Sequence, residues 1–361
     1  MKNNIYVTQP SLAPLNDFVD LLQDTWDTGI LTHNGPLVRK LEADLCKTLN
    51  IEHLSVVTNG TVALQMAIKA LELKGEIITT AFSWVATISA IKWEGCTPVF
   101  CDIDEDTFNI DIKKIEGLIT DKTVAIMPVH VFGNPCDVNA IEIIAKKHGL
   151  KVIYDAAHAM GSKINGSSLL EFGDISATSF HGTKLFNTAE GGACITKSLD
   201  LSKKLERIRF FGHDDNKDIV EDGFNGKMTE IHAALGLANL KYYSDVLDDR
   251  EVKYKKYKSE LCQIEGIGFQ KLSMGEINFS YFPIVLKSEV MLLKIESLLN
   301  ENNIYPRRYF YPSLNHLSQI VDYQECPVSE SLSTRILCLP LYKSLTDNEL
   351  MRIVRLIKRC F

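Results

Sequence analysis

The sequence predicts an α/β protein whose larger part is a mostly parallel sheet covered by helices on both faces. Two observations carry that expectation. Short β-branched runs alternate with segments of helical periodicity from about residue 50 to residue 200, the pattern of a sheet built from strand–helix–strand units. With 361 residues, 45% of them hydrophobic, the chain is also long enough for a large core and a second, smaller domain.

In order, residues 54–57 (Leu-Ser-Val-Val) read as a buried strand and 61–73 as the helix that follows. Residues 76–79 give the next strand, with a helix near 85–93. Strand 98–100 precedes a helix over 112–119, and strand 123–128 precedes a helix over 138–147. Residues 151–154 and 177–180 complete the alternation. From 229 to about 260 apolar residues recur at helical spacing, which predicts one long helix leaving the large domain. Strands over 279–286 and 336–339, a helix near 289–300 and a helical end from 347 predict a smaller α+β domain. The expected division is 1–244, including an N-terminal arm, and 245–361.

A formal net charge of −7 argues against nucleic acid or an anionic membrane as partner. Nine scattered cysteines without CxxC or Cys/His spacing predict neither disulfides nor a metal site. No apolar stretch reaches the roughly 18 residues a membrane helix needs, and the N-terminus lacks a signal core. A reduced, cytoplasmic protein acting on a small molecule is expected.

Four segments at strand ends and helix starts could carry chemistry. Thr58-Asn59-Gly60-Thr61 lies between strand and helix, where Gly60 allows close approach and Thr61 offers a hydroxyl and an amide to a phosphate. Plain helix capping by Thr61 is the simpler alternative. In Ala81-Phe82-Ser83-Trp84 an aromatic residue could stack on a flat heterocycle or simply pack in the core. Val152-Ile153-Tyr154-Asp155 ends in a carboxylate just before His158, either a partner for a cationic nitrogen or a capping or salt-bridged aspartate. Ser179, His181 and Lys184 precede the tight Glu190-Gly191-Gly192 turn, which sets Lys184 apart from the solvated majority of 39 basic residues. Lys184 and Asp155 together are what pyridoxal phosphate requires: an amine for the Schiff base and an anion that keeps the pyridine nitrogen protonated. No GxGxxG follows the first strand, so a nicotinamide-binding reading fails.

The chain resembles the sugar aminotransferases of the DegT/DnrJ/EryC1/StrS family, pyridoxal phosphate enzymes of the aspartate aminotransferase fold. The likeness runs from Gly29-Ile30-Leu31-Thr32 through Asn59-Gly60-Thr61, Ser83-Trp84-Val85-Ala86-Thr87, Asp155-Ala156-Ala157-His158, Ser179-Phe180-His181-Gly182-Thr183-Lys184, Glu190-Gly191-Gly192 and Gly223-Phe224-Asn225 to Arg308-Tyr309-Phe310-Tyr311-Pro312. It implies that Lys184 bonds the cofactor, Asp155 holds the pyridine nitrogen, and Gly60, Thr61 and Ser179 take the phosphate. Trp84 would stack on the ring, and His158 stands where many relatives have glutamine, near the phenolic oxygen. Asn225 would reach the cofactor of a second subunit, which implies a homodimer. Thr32, His181, Tyr311 and His316 are the implied substrate contacts.

The implied reaction moves an amino group from L-glutamate to a nucleotide-linked keto sugar. His181 in the Ser-Phe-His stretch points to C4 of dTDP-4-keto-6-deoxyglucose, on a route to O-antigen or another surface glycan. A 3-keto sugar, a UDP- or GDP-linked 4-keto sugar and a non-catalytic regulator of the same fold are the alternatives. The dehydratases of this family replace the lysine with histidine, and this chain keeps Lys184.

Overall fold

The computed structural model describes residues 4–273 and 275–361. Its centre is a seven-stranded sheet in the order His53–Val57, Gly192–Thr196, Ile175–Ser179, Lys151–Asp155, Thr123–Ile126, Glu76–Thr80, Thr97–Cys101. Six strands point the same way, five of them paired side by side, while Gly192–Thr196 is antiparallel to both neighbours. Successive strand residues point to opposite faces. Val152 and Tyr154 therefore join one core with the helices Pro36–Leu49, Val138–His148 and Glu230–Leu240, while Ile153 joins another with Gly60–Ala70, Ala86–Trp93 and Leu199–Ile208. The α/β class and the parallel alternation follow the sequence expectation.

The structure differs from the sequence reading in three places. Strand Gly192–Thr196 is buried along its whole length, so it shows no polar alternation, and its first residue belongs to the glycine turn. The helix expected over 229–260 is two, Glu230–Leu240 and Tyr243–Leu261. At the break, Asn239 is held by side-chain bonds to Ala13 N and Asn187 O, and the Tyr242 hydroxyl donates to Asp17; no glycine or proline marks the place. The helices Leu15–Thr28 and Pro36–Leu49 precede the first strand read from the sequence.

The C-terminal part is a three-stranded antiparallel sheet, Ile267–Phe269, Phe282–Leu286 and Ile336–Leu339, packed on helices Tyr243–Leu261, Glu289–Glu301 and Asp347–Lys358. The N-terminal strand Ile5–Tyr6 pairs with Ile304–Tyr305, and Ile5 is buried in the C-terminal core. The start of the arm, grouped above with the large part, thus packs with the small one. Phe82, Phe132, Tyr281 and Phe310 join the two parts in one buried cluster, directly beside the carboxyl ends of the parallel strands.

Candidate active site

The loop after strand Ile175–Ser179 closes on itself through backbone bonds from Phe180 N to Gly191 O, Gly182 N to Ala189 O and Thr188 N to Phe180 O. That loop delivers Lys184 into a cavity of about 660 Å³. Desolvation brings its ammonium down to about 8, against the opposing pull of Asp155. An amine so tuned is available as nucleophile and base near neutrality.

Asp155 ends the next strand of the sheet and is buried at 5% exposure. Its Oδ2 accepts a hydrogen bond from Thr87 Oγ1 at 2.7 Å and its Oδ1 one from Ala157 N at 3.2 Å. Burial pushes its carboxyl up, while these donors and Lys184 pull the other way. It caps no helix and makes no ion pair within 4 Å among the described residues, so neither structural alternative holds. A buried carboxylate and a depressed lysine on one cavity are a functional signature.

Helix Gly60–Ala70 begins on the same cavity. Its cap is Asn59, whose side chain accepts from Val62 N at 2.9 Å, not Thr61. The Thr61 hydroxyl has no protein partner among the described residues and, with Gly60 and Ser179, lines the cavity. A Cβ on Gly60 would stand 2.9 Å from Ser179 Cβ, so only glycine lets the helix start approach that strand end. Amides and hydroxyls gathered at a helix N-terminus favour a phosphate.

His158 is buried, and its Nδ1 accepts from Phe132 N at 3.3 Å. The proton therefore sits on Nε2, and desolvation keeps the ring neutral, its pKa well below the usual value. His181 is half exposed; its Nδ1 accepts from the Thr183 amide and hydroxyl, leaving Nε2 3.6 Å from Glu190. Trp84 stands at the mouth at 49% exposure, edge-on to Tyr309 at 6.3 Å, with the Arg307 guanidinium 5.8 Å from its ring.

A carboxylate, an amine and a glycine–hydroxyl cradle on one cavity fit pyridoxal phosphate at both its pyridine and its phosphate ends. The model of the DegT/DnrJ/EryC1/StrS aminotransferase family matches residues 15–358. The chain belongs to this family. It is 44% identical over 99% of both chains to the dTDP-4-amino-4,6-dideoxy-D-glucose transaminase of Shigella dysenteriae. The crystal structure of DesI with its TDP-sugar product superimposes with a TM-score of 0.95 at 30% identity, covering 100% of this chain and 93% of DesI. Bacillus subtilis NtdA with bound PMP does so with a TM-score of 0.88 at 29% identity, covering 96% and 81%. The protein is a pyridoxal phosphate-dependent aminotransferase.

Within this aminotransferase fold, Gly60, Thr61, Trp84, Asp155, His158, Ser179, His181 and Lys184 share one cavity. Thr32, Tyr311 and His316 do not line it in this chain. Tyr311 turns outward, half exposed, under the Arg308 guanidinium at 3.6 Å. His316 lies in the turn Leu314–His316 with its Nε2 3.4 Å from Glu330, and Thr32 sits in the segment before helix Pro36–Leu49. Asn225 is also outside the cavity, with its Oδ1 accepting from Lys227 Nζ at 2.6 Å. Tyr309 and Phe310 of the quoted stretch also line the cavity, and among the lining residues that motif reading misses are Tyr281, whose ring centroid lies 5.9 Å from Lys184 Nζ, and Arg307. Arg307 makes no ion pair among the described residues. Its only sequence signal is its place just before the quoted Arg308-Tyr309-Phe310-Tyr311 stretch.

Proposed function

We propose that this aminotransferase moves the amino group of L-glutamate to C4 of dTDP-4-keto-6-deoxyglucose, giving dTDP-4-amino-4,6-dideoxyglucose for a surface glycan such as O-antigen. The observation that carries the reading is that Lys184 and Asp155 line one cavity together with Arg307, which makes no ion pair among the described residues. The named activity of the Shigella dysenteriae relative and the TDP-sugar product of DesI support the carrier and the carbon.

When bound, pyridoxal phosphate supplies the electron sink for the pair left by a departing α-proton. Lys184 Nζ takes that proton from the amino donor and, in the return half, delivers one to the sugar carbon. Asp155 holds the positive charge of the pyridine nitrogen. His158, neutral, donates its Nε2–H to the phenolic oxygen, a role glutamine would also fill. Gly60, Thr61 and Ser179 bind the phosphate, and Trp84 covers the ring. At the mouth, Arg307 meets the nucleotide's diphosphate as a bidentate donor. His181, with Nδ1 satisfied by Thr183, offers Nε2–H to the sugar and favours the seating that brings C4 to Lys184.

The working unit is a homodimer in the cytoplasm. Leu12, Leu15, Val19 and Trp26 are exposed apolar residues near the N-terminus, and Phe211, Ile219 and Val220 lie near Asn225. Apolar surface of this kind is covered by a partner, and a second copy would let Asn225 reach its neighbour's phosphate. The test is incubation with glutamate and dTDP-, UDP- or GDP-linked keto sugars, followed by NMR of the product. Amination at C4 of the dTDP sugar is expected. An amino group at C3, or turnover confined to another carrier, would overturn the substrate assignment.

A further inference from the structure

Beside Asp155 lie two further hydroxyls with no place in the mechanism above, that of Thr87 and, on the cavity lining, that of Ser83. Thr87 is fully buried and its Oγ1 donates to Asp155 Oδ2 at 2.7 Å. Ser83, 3% exposed, lies with its Oγ 2.7 Å from the same Thr87 oxygen. A hydroxyl has one proton. Because Thr87 spends its proton on Asp155, the Ser83 hydroxyl must donate to Thr87.

The chain of bonds therefore has a direction. Pointing toward Asp155, it satisfies both protons and ends on a carboxylate. Reversed, as a protonated Asp155 would require, it exchanges a bond to a carboxylate for weaker bonds between neutral groups and leaves the Ser83 proton without a protein acceptor among the described residues. The charged groups facing Asp155 do little to replace it: Lys184 is itself depressed, and His158 is neutral.

We infer that Ser83 and Thr87 are positioning residues, a one-way hydroxyl relay that keeps Asp155 ionised and aimed at the cofactor nitrogen. The inference rests on the role proposed for Asp155, and deepens it: the strand end supplies the carboxylate, while the start of helix Ala86–Trp93 fixes its protonation state.

The test is Thr87→Val, which keeps the shape and removes the proton, with Thr87→Ser and Ser83→Ala beside it. Two readouts serve besides turnover: the dissociation constant of pyridoxal phosphate, and the pH midpoint of the bound cofactor's visible absorbance. Thr87→Val should weaken cofactor binding about tenfold or more and displace the midpoint, as loss of a hydrogen bond to a charged group does. Thr87→Ser should restore both, and Ser83→Ala should give a smaller change of the same sign. A Thr87→Val or Ser83→Ala protein with both readouts at wild-type values would overturn the relay, and Ser83→Ala decides the matter should Thr87→Val fail to fold. Asp155→Asn separates the layers. If it too leaves the readouts unchanged, the role of Asp155 itself is wrong; if it alone changes them, only the relay is.

Discussion

Replacing Lys184 by methionine should stabilise the cofactor-free protein at neutral pH, by an amount that disappears as the solution becomes alkaline. In the fold the ammonium is brought from 10.5 to about 8 by desolvation. Between those values the unfolded chain holds a proton that the folded one has lost, so stability rises with pH across the window. Below pH 8 the full penalty of the buried charge is present. A gap of about 2.5 corresponds to roughly 3.4 kcal/mol at about 1.36 kcal/mol per decade. The cavity is open to solvent at its mouth, which screens the charge, so about 1–3 kcal/mol is expected in practice. The assay is urea unfolding of the cofactor-free wild type and the Lys184→Met variant at equal protomer concentration from pH 7 to pH 10.5. The variant should be more stable at pH 7, with the difference closing toward pH 10.5 as the wild type gains. A difference that stays flat across this range, or widens with pH, would mean that Lys184 is not desolvated and that its availability as a base needs another cause.

Gly60→Ala should reduce pyridoxal phosphate affinity at least tenfold in a folded protein, because the new Cβ meets Ser179 at 2.9 Å and forces helix start and strand end apart, an overpacking worth about 1–3 kcal/mol; fluorescence titration of cofactor binding checks it. Arg307→Ala should raise KM for the nucleotide sugar about tenfold or more while leaving the half-reaction with the amino donor intact, and a defect in the donor half instead would move the arginine's partner to the donor carboxylate. Mixing inactive Lys184→Ala and Asn225→Ala proteins should recover part of the activity if Asn225 serves the neighbouring site, and no recovery after demonstrated subunit exchange would assign each site to one chain.

Much of the large sheet is legible because parallel strands buried on both faces are short β-branched runs between helices, and residues 76–79, 123–128 and 151–154 announce themselves that way. Gly192–Thr196 does not, since its glycine start reads as the end of a loop. The deep part of the site is legible for a related reason. Lys184, Asp155 and Gly60 lie in local motifs at strand ends, where a few adjacent residues state the chemistry. The mouth is not. Tyr281 and Arg307 come from the C-terminal part, and only the packing of Phe82, Phe132 and Phe310 brings them to the cavity. Thr87 is an intermediate case, lying in a quoted motif whose sequence shows a hydroxyl but not that Asp155 lies 2.7 Å from it.

The strand order also dictates when this protein can come into being on the ribosome. Among the named strands of the described residues, His53–Val57 pairs only with Gly192–Thr196, and Ile5–Tyr6 only with Ile304–Tyr305. At about 5–20 residues per second, the nascent chain carries an unpaired strand for on the order of ten seconds before its partner is made. Throughout that interval Leu54 and Val56, which end almost wholly buried, have helix Pro36–Leu49 to pack against but no strand to complete the sheet. Release of a chain that stops short of residue 192 would leave that open edge for good, a template for aggregation or a target for proteolysis. Completion of the sheet is thus coupled to completion of the loop that carries Lys184, and a chain with a finished sheet already holds its lysine in position.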